Sequence, residues 1–140
     1  MEAESNLGGL LGKSSRLMTN KLNKELINYN LTAQQWSLLA LLWSENNRTQ
    51  TSLQKELLKN KATVNSLVNY LIKNEFITKN KDEKDKRSVI ISLTALGKCI
   101  EAPTIISAKK IISKATKEID KEALEITKKT LLQIITNLKE

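Results

Sequence analysis

Histidine is absent from this 140-residue chain, which removes imidazole both as a metal ligand and as a general base. The single cysteine, Cys99, permits no internal disulfide, and a cytoplasmic location is the expectation that follows. No run approaches the roughly eighteen consecutive apolar residues of a membrane span, so none is expected. Residues Met1 to Ser5 are acidic and lack the basic region that opens a signal peptide. Neither of the glycine-rich phosphate cradles, G-x-x-x-x-G-K-[ST] or G-x-G-x-x-G, is present, and Gly8 and Gly9 stand alone. No carboxylate pair or Ser/Lys spacing points to catalysis. An enzyme is not expected, nor is a cofactor.

What remains is a helix-forming chain. It has one proline and four glycines, with 40% hydrophobic and 27% charged residues, a profile of one globular, mostly helical domain with a single core. The net charge is +8 and unevenly spread. Residues 1–47 are balanced, with four Lys/Arg against four Asp/Glu. Residues 48–87 carry ten against five, and residues 88–140 nine against six. An anionic partner would therefore sit against the middle of the chain, and duplex nucleic acid is the commonest such partner.

Leu7, Leu10, Leu11, Met18, Leu22, Leu26 and Tyr29 recur at three- and four-residue steps, predicting one long helix that ends at Asn28-Tyr29-Asn30. Thr32 is placed to cap the next, where Trp36 to Trp43 is apolar almost all round and must be central. After a polar loop at 45–48, Thr51 and Gln54 have capping-box spacing before a short helix whose Leu53, Leu57 and Leu58 are read as facing inward. A turn at Lys59-Asn60-Lys61 leads to a second stripe of Val64, Leu67, Val68, Leu71 and Ile72. Two short helices on a tight turn are the helix-turn-helix pattern. The period then becomes that of strands at 76–80 and 88–93, separated by the wholly polar residues 81–87. That hairpin after a helix-turn-helix describes a winged helix. Thr94 would cap a further helix that Pro103 kinks or divides, and Asp120 would cap the last. The terminal helices carry more apolar surface than one small domain needs, and a second copy of the chain would bury it.

The span Leu31 to Ala102 resembles the MarR (multiple antibiotic resistance regulator) family. The carrying segments are L-T-A-Q-Q-W-S-L-L-A-L-L, T-Q-T-S-L-Q-K-E-L, K-A-T-V-N-S-L-V-N-Y-L and D-E-K-D-K-R-S-V-I-I-S-L-T-A-L-G-K. The last holds a D-x-R pair, Asp85 and Arg87, and an L-T-x-x-G run from Leu93 to Gly97. The resemblance implies a mainly α fold with a small β-hairpin wing. Residues 31–94 would form the winged helix-turn-helix, and 1–30 and 95–140 the dimerisation helices. It also implies a homodimeric regulator, usually a repressor, on palindromic double-stranded DNA, with a small-molecule effector relieving repression. Three departures stand out. Asn65-Ser66 replace a common basic residue, and Glu75 takes a turn position where glycine is usual, so that Asn74 or Glu75 must adopt the left-handed conformation. The N-terminal helix also lacks the reactive cysteine of peroxide-sensing members.

Helical geometry assigns the reading face. With Val64, Leu67, Val68 and Leu71 inward, Ala62, Ser66, Asn69 and Lys73 point away, flanked by Thr63, Asn65 and Tyr70, with Lys61 opening the helix. Asparagine suits adenine, and Ala or a Thr methyl suits thymine. Lys84, Lys86 and Arg87 on the wing are expected at phosphates or the minor groove, with Asp85 holding Arg87. Thr51 and Ser52 at a helix N-terminus would meet phosphate. Trp36 and Trp43 are read as core residues first and as effector-pocket walls second, and Cys99 as a buried small hydrophobe. The competing functional reading is a winged-helix interaction module whose same face binds an acidic protein.

Overall fold

The computed structural model describes residues 3–139. Helix α1 (Ala3–Leu26) runs into a 3-10 turn at Ile27–Tyr29 and is followed by α2 (Ala33–Ser44). A short strand β1 (Arg48–Thr49) precedes α3 (Gln50–Leu57) and α4 (Lys61–Lys73). Strands β2 (Ile77–Lys81) and β3 (Val89–Leu93) form the wing, and α5 (Ala95–Cys99), α6 (Glu101–Ala115) and α7 (Lys121–Leu138) complete the chain. The sheet is antiparallel with order β1-β3-β2. Its central Ile91 lies opposite Arg48 on one side and Lys79 on the other, and is fully buried.

The core forms where α2, α3, α4 and the sheet converge. Leu38, Leu39 and Leu42 of α2 are at most 1% exposed, and they meet Leu53, Val64, Val68, Leu71 and Ile91. Full burial of each such side chain contributes about 1.5–3 kcal/mol. The capping box expected at Thr32 is present, with Thr32 Oγ1 accepting from Gln35 N and Gln35 Oε1 accepting from Thr32 N. Three helices close in the same way. Leu31 N donates to Leu26 O, Lys59 N to Gln54 O, and Phe76 N to Leu71 O, each across a left-handed residue. Those residues are Asn30, Leu58 and Glu75. Glycine is scarce here, so ordinary side chains take that conformation at a cost of about 1–2 kcal/mol each.

The L-T-x-x-G run has a clear physical basis. Thr94 Oγ1 donates to Glu75 O at 2.6 Å and accepts from Gly97 N at 3.0 Å, binding the end of α4 to the start of α5. A Cβ on Gly97 would lie 2.2 Å from Phe76 O. Only glycine fits that approach.

Several expectations are corrected. The cap of α3 is Thr49, whose Oγ1 accepts from Ser52 N at 3.1 Å, because pairing of β1 with β3 ends the strand there and starts the helix earlier than Thr51. Leu58 is 68% exposed: the left-handed turn at the helix end swings it off the inner face. Cys99 is exposed, not buried. Asp120 holds the N-cap position of α7 without a side-chain cap bond. The helix after Thr94 divides at Ile100, and Pro103 lies in the first turn of α6, where its missing N–H leaves the Cys99 carbonyl without the next helical bond.

Candidate nucleic-acid interface

Helix α4 begins at Asn60, whose Oδ1 accepts from Thr63 N at 2.8 Å. Val64, Leu67, Val68 and Leu71 are buried, so Ala62, Ser66, Asn69 and Lys73 stand exposed on the opposite face, as the periodicity predicts. The two flanks differ. Tyr70 turns toward the body, and its hydroxyl donates to Asn30 O at 2.6 Å, tying α4 to the turn after α1. On the other flank Asn65 faces the wing, and its Oδ1 accepts from Gln50 Nε2. That bond takes one of the two lone pairs of Oδ1 and orients the Asn65 amide. Asn69 is exposed, and among the described residues its amide has no partner.

Thr51 of α3, Lys61 and Asn65 of α4 and Arg87 of the wing line one polar recess of about 350 Å³, with Gln50 and Lys79 among its other walls. Lys79 and Gln50 escaped the sequence reading. The signal for Lys79 was its place in a strand directly after the reading helix; for Gln50 nothing in the sequence marked it. Ser52 is drawn away from the recess. Its N–H is held by the Thr49 cap, and its hydroxyl accepts from Arg48 Nη2 at 2.7 Å. Arg48 also approaches Glu56 at 3.8 Å and is largely covered, so it braces α3.

The wing tip is shaped by its aspartates. Asp82 Oδ1 accepts from Lys84 N at 3.0 Å, and Asp85 Oδ1 accepts from Arg87 N at 3.1 Å. Asp85 also lies 3.4 Å from Arg87 Nε, as the D-x-R pair led us to expect. The Arg87 side chain is 93% exposed, and Lys84 and Lys86 are exposed beside it. Three cations thus project from a backbone held by side-chain caps.

A second cavity, about 630 Å³, lies between α1, α2, α6 and α7, lined by Leu11, Met18, Leu22, Trp36, Ile111 and Leu131 among others. Trp36 belongs to its wall, and its indole Nε1 is buried without an acceptor among the described residues. Trp43 does not line it. Its Nε1 donates to Gly97 O at 2.9 Å, and its ring meets Trp36 edge-on at 6.1 Å. Both tryptophans pack against the core. Among the described residues no group of three or more Cys, Asp or Glu is placed to hold a metal ion, and no helix is long and apolar enough to cross a membrane.

A helix-turn-helix with an outward polar reading face, followed by a cationic wing, defines a winged-helix DNA-binding protein. The MarR family pattern matches residues 31–89. The chain is 32% identical over 139 residues to the organic hydroperoxide resistance transcriptional regulator of Bacillus subtilis, covering 95% of this chain and 94% of that protein. The crystal structure of a MarR transcriptional regulator from Methanosarcina mazei Go1 superposes with a TM-score of 0.88 at 24% identity, covering 96% of this chain and 97% of that one. The Staphylococcus aureus MepR–DNA complex superposes at 0.85 with 21% identity, covering 99% and 100%. The chain belongs to the MarR family and is a DNA-binding transcription regulator. The interaction-module reading is not favoured.

Proposed function

We propose that two copies of this chain bind one palindromic operator and repress transcription, and that a small molecule in the cavity beside Trp36 relieves repression. Residues 31–94 read the DNA, while 1–30 and 95–140 join the copies; the chain works in the cytoplasm and has no catalytic role. The carrying observation is the exposed face of α4 set beside a recess that gathers Lys61, Lys79 and Arg87. In this reading α4 lies in the major groove, the wing reaches the adjacent minor groove or its phosphates, and Thr51 meets phosphate at the start of α3. The cavity supports the effector because it lies between the DNA-reading part and the terminal helices, so its filling would change their relative position.

Fluorescence anisotropy on an operator obtained by selection, and on a scrambled duplex, tests the interface. Asn69→Ala should weaken operator binding by about 1–3 kcal/mol and leave the scrambled duplex almost unaffected, as expected for one good base contact. Lys73→Ala or Lys84→Ala should weaken both duplexes alike and flatten the logarithmic salt slope by about one unit. Equal losses on both duplexes for Asn69→Ala would refute its base-reading role.

A further inference from the structure

The bond between Gln50 and Asn65 joins the first residue of α3 to the second turn of α4. Gln50 is a polar side chain only 9% exposed, so its amide is held in place by the fold. It donates through Nε2, and Asn65 receives through Oδ1. An asparagine that reads adenine uses both ends of its amide, accepting from N6 and donating to N7. In Asn65 the accepting end is turned inward on Gln50. Because Gln50 orients Oδ1 toward α3, the Nδ2 end, with its two N–H donors, is the end better placed to face the groove. A donor-only end is matched best by guanine, which presents two acceptors, O6 and N7, side by side in the major groove. It has no answer to the amino group of cytosine, and it meets only half of the adenine edge.

We propose that Gln50 is a positioning residue that sets the specificity of this regulator, orienting Asn65 so that one pair in each half-site is read as guanine instead of adenine. The inference rests on α4 being the reading helix. It adds that sequence preference is decided partly from α3, by a side chain nearly out of contact with solvent. Asn69, without such a partner, keeps the adenine-reading mode, so the two asparagines of one helix read different bases.

Selection from a randomised duplex library, followed by sequencing, tests this with full-length protein. In the wild type one half-site position should favour guanine over adenine by about fivefold or more, the lower end of one base contact. Asn65→Ala should level that position alone. Gln50→Met frees the Asn65 amide and should move the preference there toward adenine. Gln50→Glu can only accept, so it should draw Nδ2 inward, turn Oδ1 outward, and move the preference to adenine or cytosine. Gln50→Glu keeps the shape of the native side chain, so it and Asn65→Ala carry the test if Gln50→Met fails to fold. A preference at the Asn65 position that both Gln50 variants leave intact would overturn the proposal. So would a position sensitive to neither residue, which would mean that Asn65 meets phosphate. If Asn69→Ala also left every preference unchanged, α4 would not be the reading helix, and the underlying assignment would fall as well.

Discussion

Gly97 shows how much of this fold hangs on one missing side chain. Its hydrogen in place of Cβ lets α5 approach the Phe76 carbonyl, and its own carbonyl receives the Trp43 indole. Gly97→Ala should therefore destabilise the protein by about 1–3 kcal/mol, the usual cost of forcing atoms into a packed site. Urea unfolding would show it as a lower midpoint at unchanged slope, and an unchanged midpoint would mean that the backbone yields freely. Cys99 is the opposite case, an exposed side chain on α5 that is part of neither the recess nor the α4 face. DNA binding should therefore survive mild peroxide treatment, even though the Bacillus subtilis relative is named for organic hydroperoxide resistance. Loss of operator binding on oxidation in the wild type, but not in Cys99→Ser, would assign a sensing role to this thiol. Asn65 and Gln50 mark the limit of reading residues singly. Asn65 was recognisable from its helical position, but the orientation of its amide depends on a partner fifteen residues away.

Among the elements, α3 is the one whose start was misread, and the cause lies in its neighbour. Thr51-x-x-Gln54 matches the capping-box pattern by spacing, and so drew the boundary. The two-residue strand β1 has no periodicity of its own and is defined only by pairing with Ile90 and Ile91. Once that pairing exists, Thr49 is the residue left extended at the helix entrance, and its hydroxyl takes the cap. Thr49→Ala should cost about 1 kcal/mol of stability. Thr51→Ala should stay within about 0.5 kcal/mol, as a surface change without a cap, while weakening binding to any duplex. Thermal melts and anisotropy on the same samples would check both. Equal melting shifts for the two variants would contradict the assignment of the cap. Elements with local signals were legible, as where Thr32 caps α2 and Thr94 caps α5, whereas β1 and the helix break at Ile100 were not.

For the whole molecule, the outstanding fact is apolar surface left uncovered within one chain. Leu10 and Leu17 of α1, Ile106 of α6, and Ile126, Leu132 and Leu138 of α7 are all more than half exposed. Helix α7 has no buried residue among those described, though its sequence alternates apolar and charged faces. An amphipathic helix of 18 residues gains most of its stability from tertiary packing, and a second copy supplies a surface to pack on. Sedimentation at micromolar concentration should give about twice the 15.8 kDa chain mass, and the melting temperature should rise with protein concentration. The dimer would place half-sites about 10 base pairs apart, centre to centre, or a multiple of that. A monomer at these concentrations would remove the two-half-site reading.

Apart from β1, the order of elements, the inward and outward faces of α4, the charged wing and the surplus on the terminal helices were already determined along the chain, because helix and strand periods, caps and charge are properties of residues close in sequence. Tertiary structure alone decided the rest: that Thr49 caps α3, that Leu58 and Cys99 lie outside the core, that Trp43 anchors α5 while Trp36 walls a cavity, and that Gln50 holds Asn65. Except at Leu58, where the left-handed turn at the end of α3 is the cause, each depends on a contact between segments whose separation in sequence has no bearing on their distance in space. The close approach at Gly97 and the buried amide of Gln50 exist only after α2, α3, α4 and the sheet have packed, when there is no longer room or water to satisfy those groups in any other way.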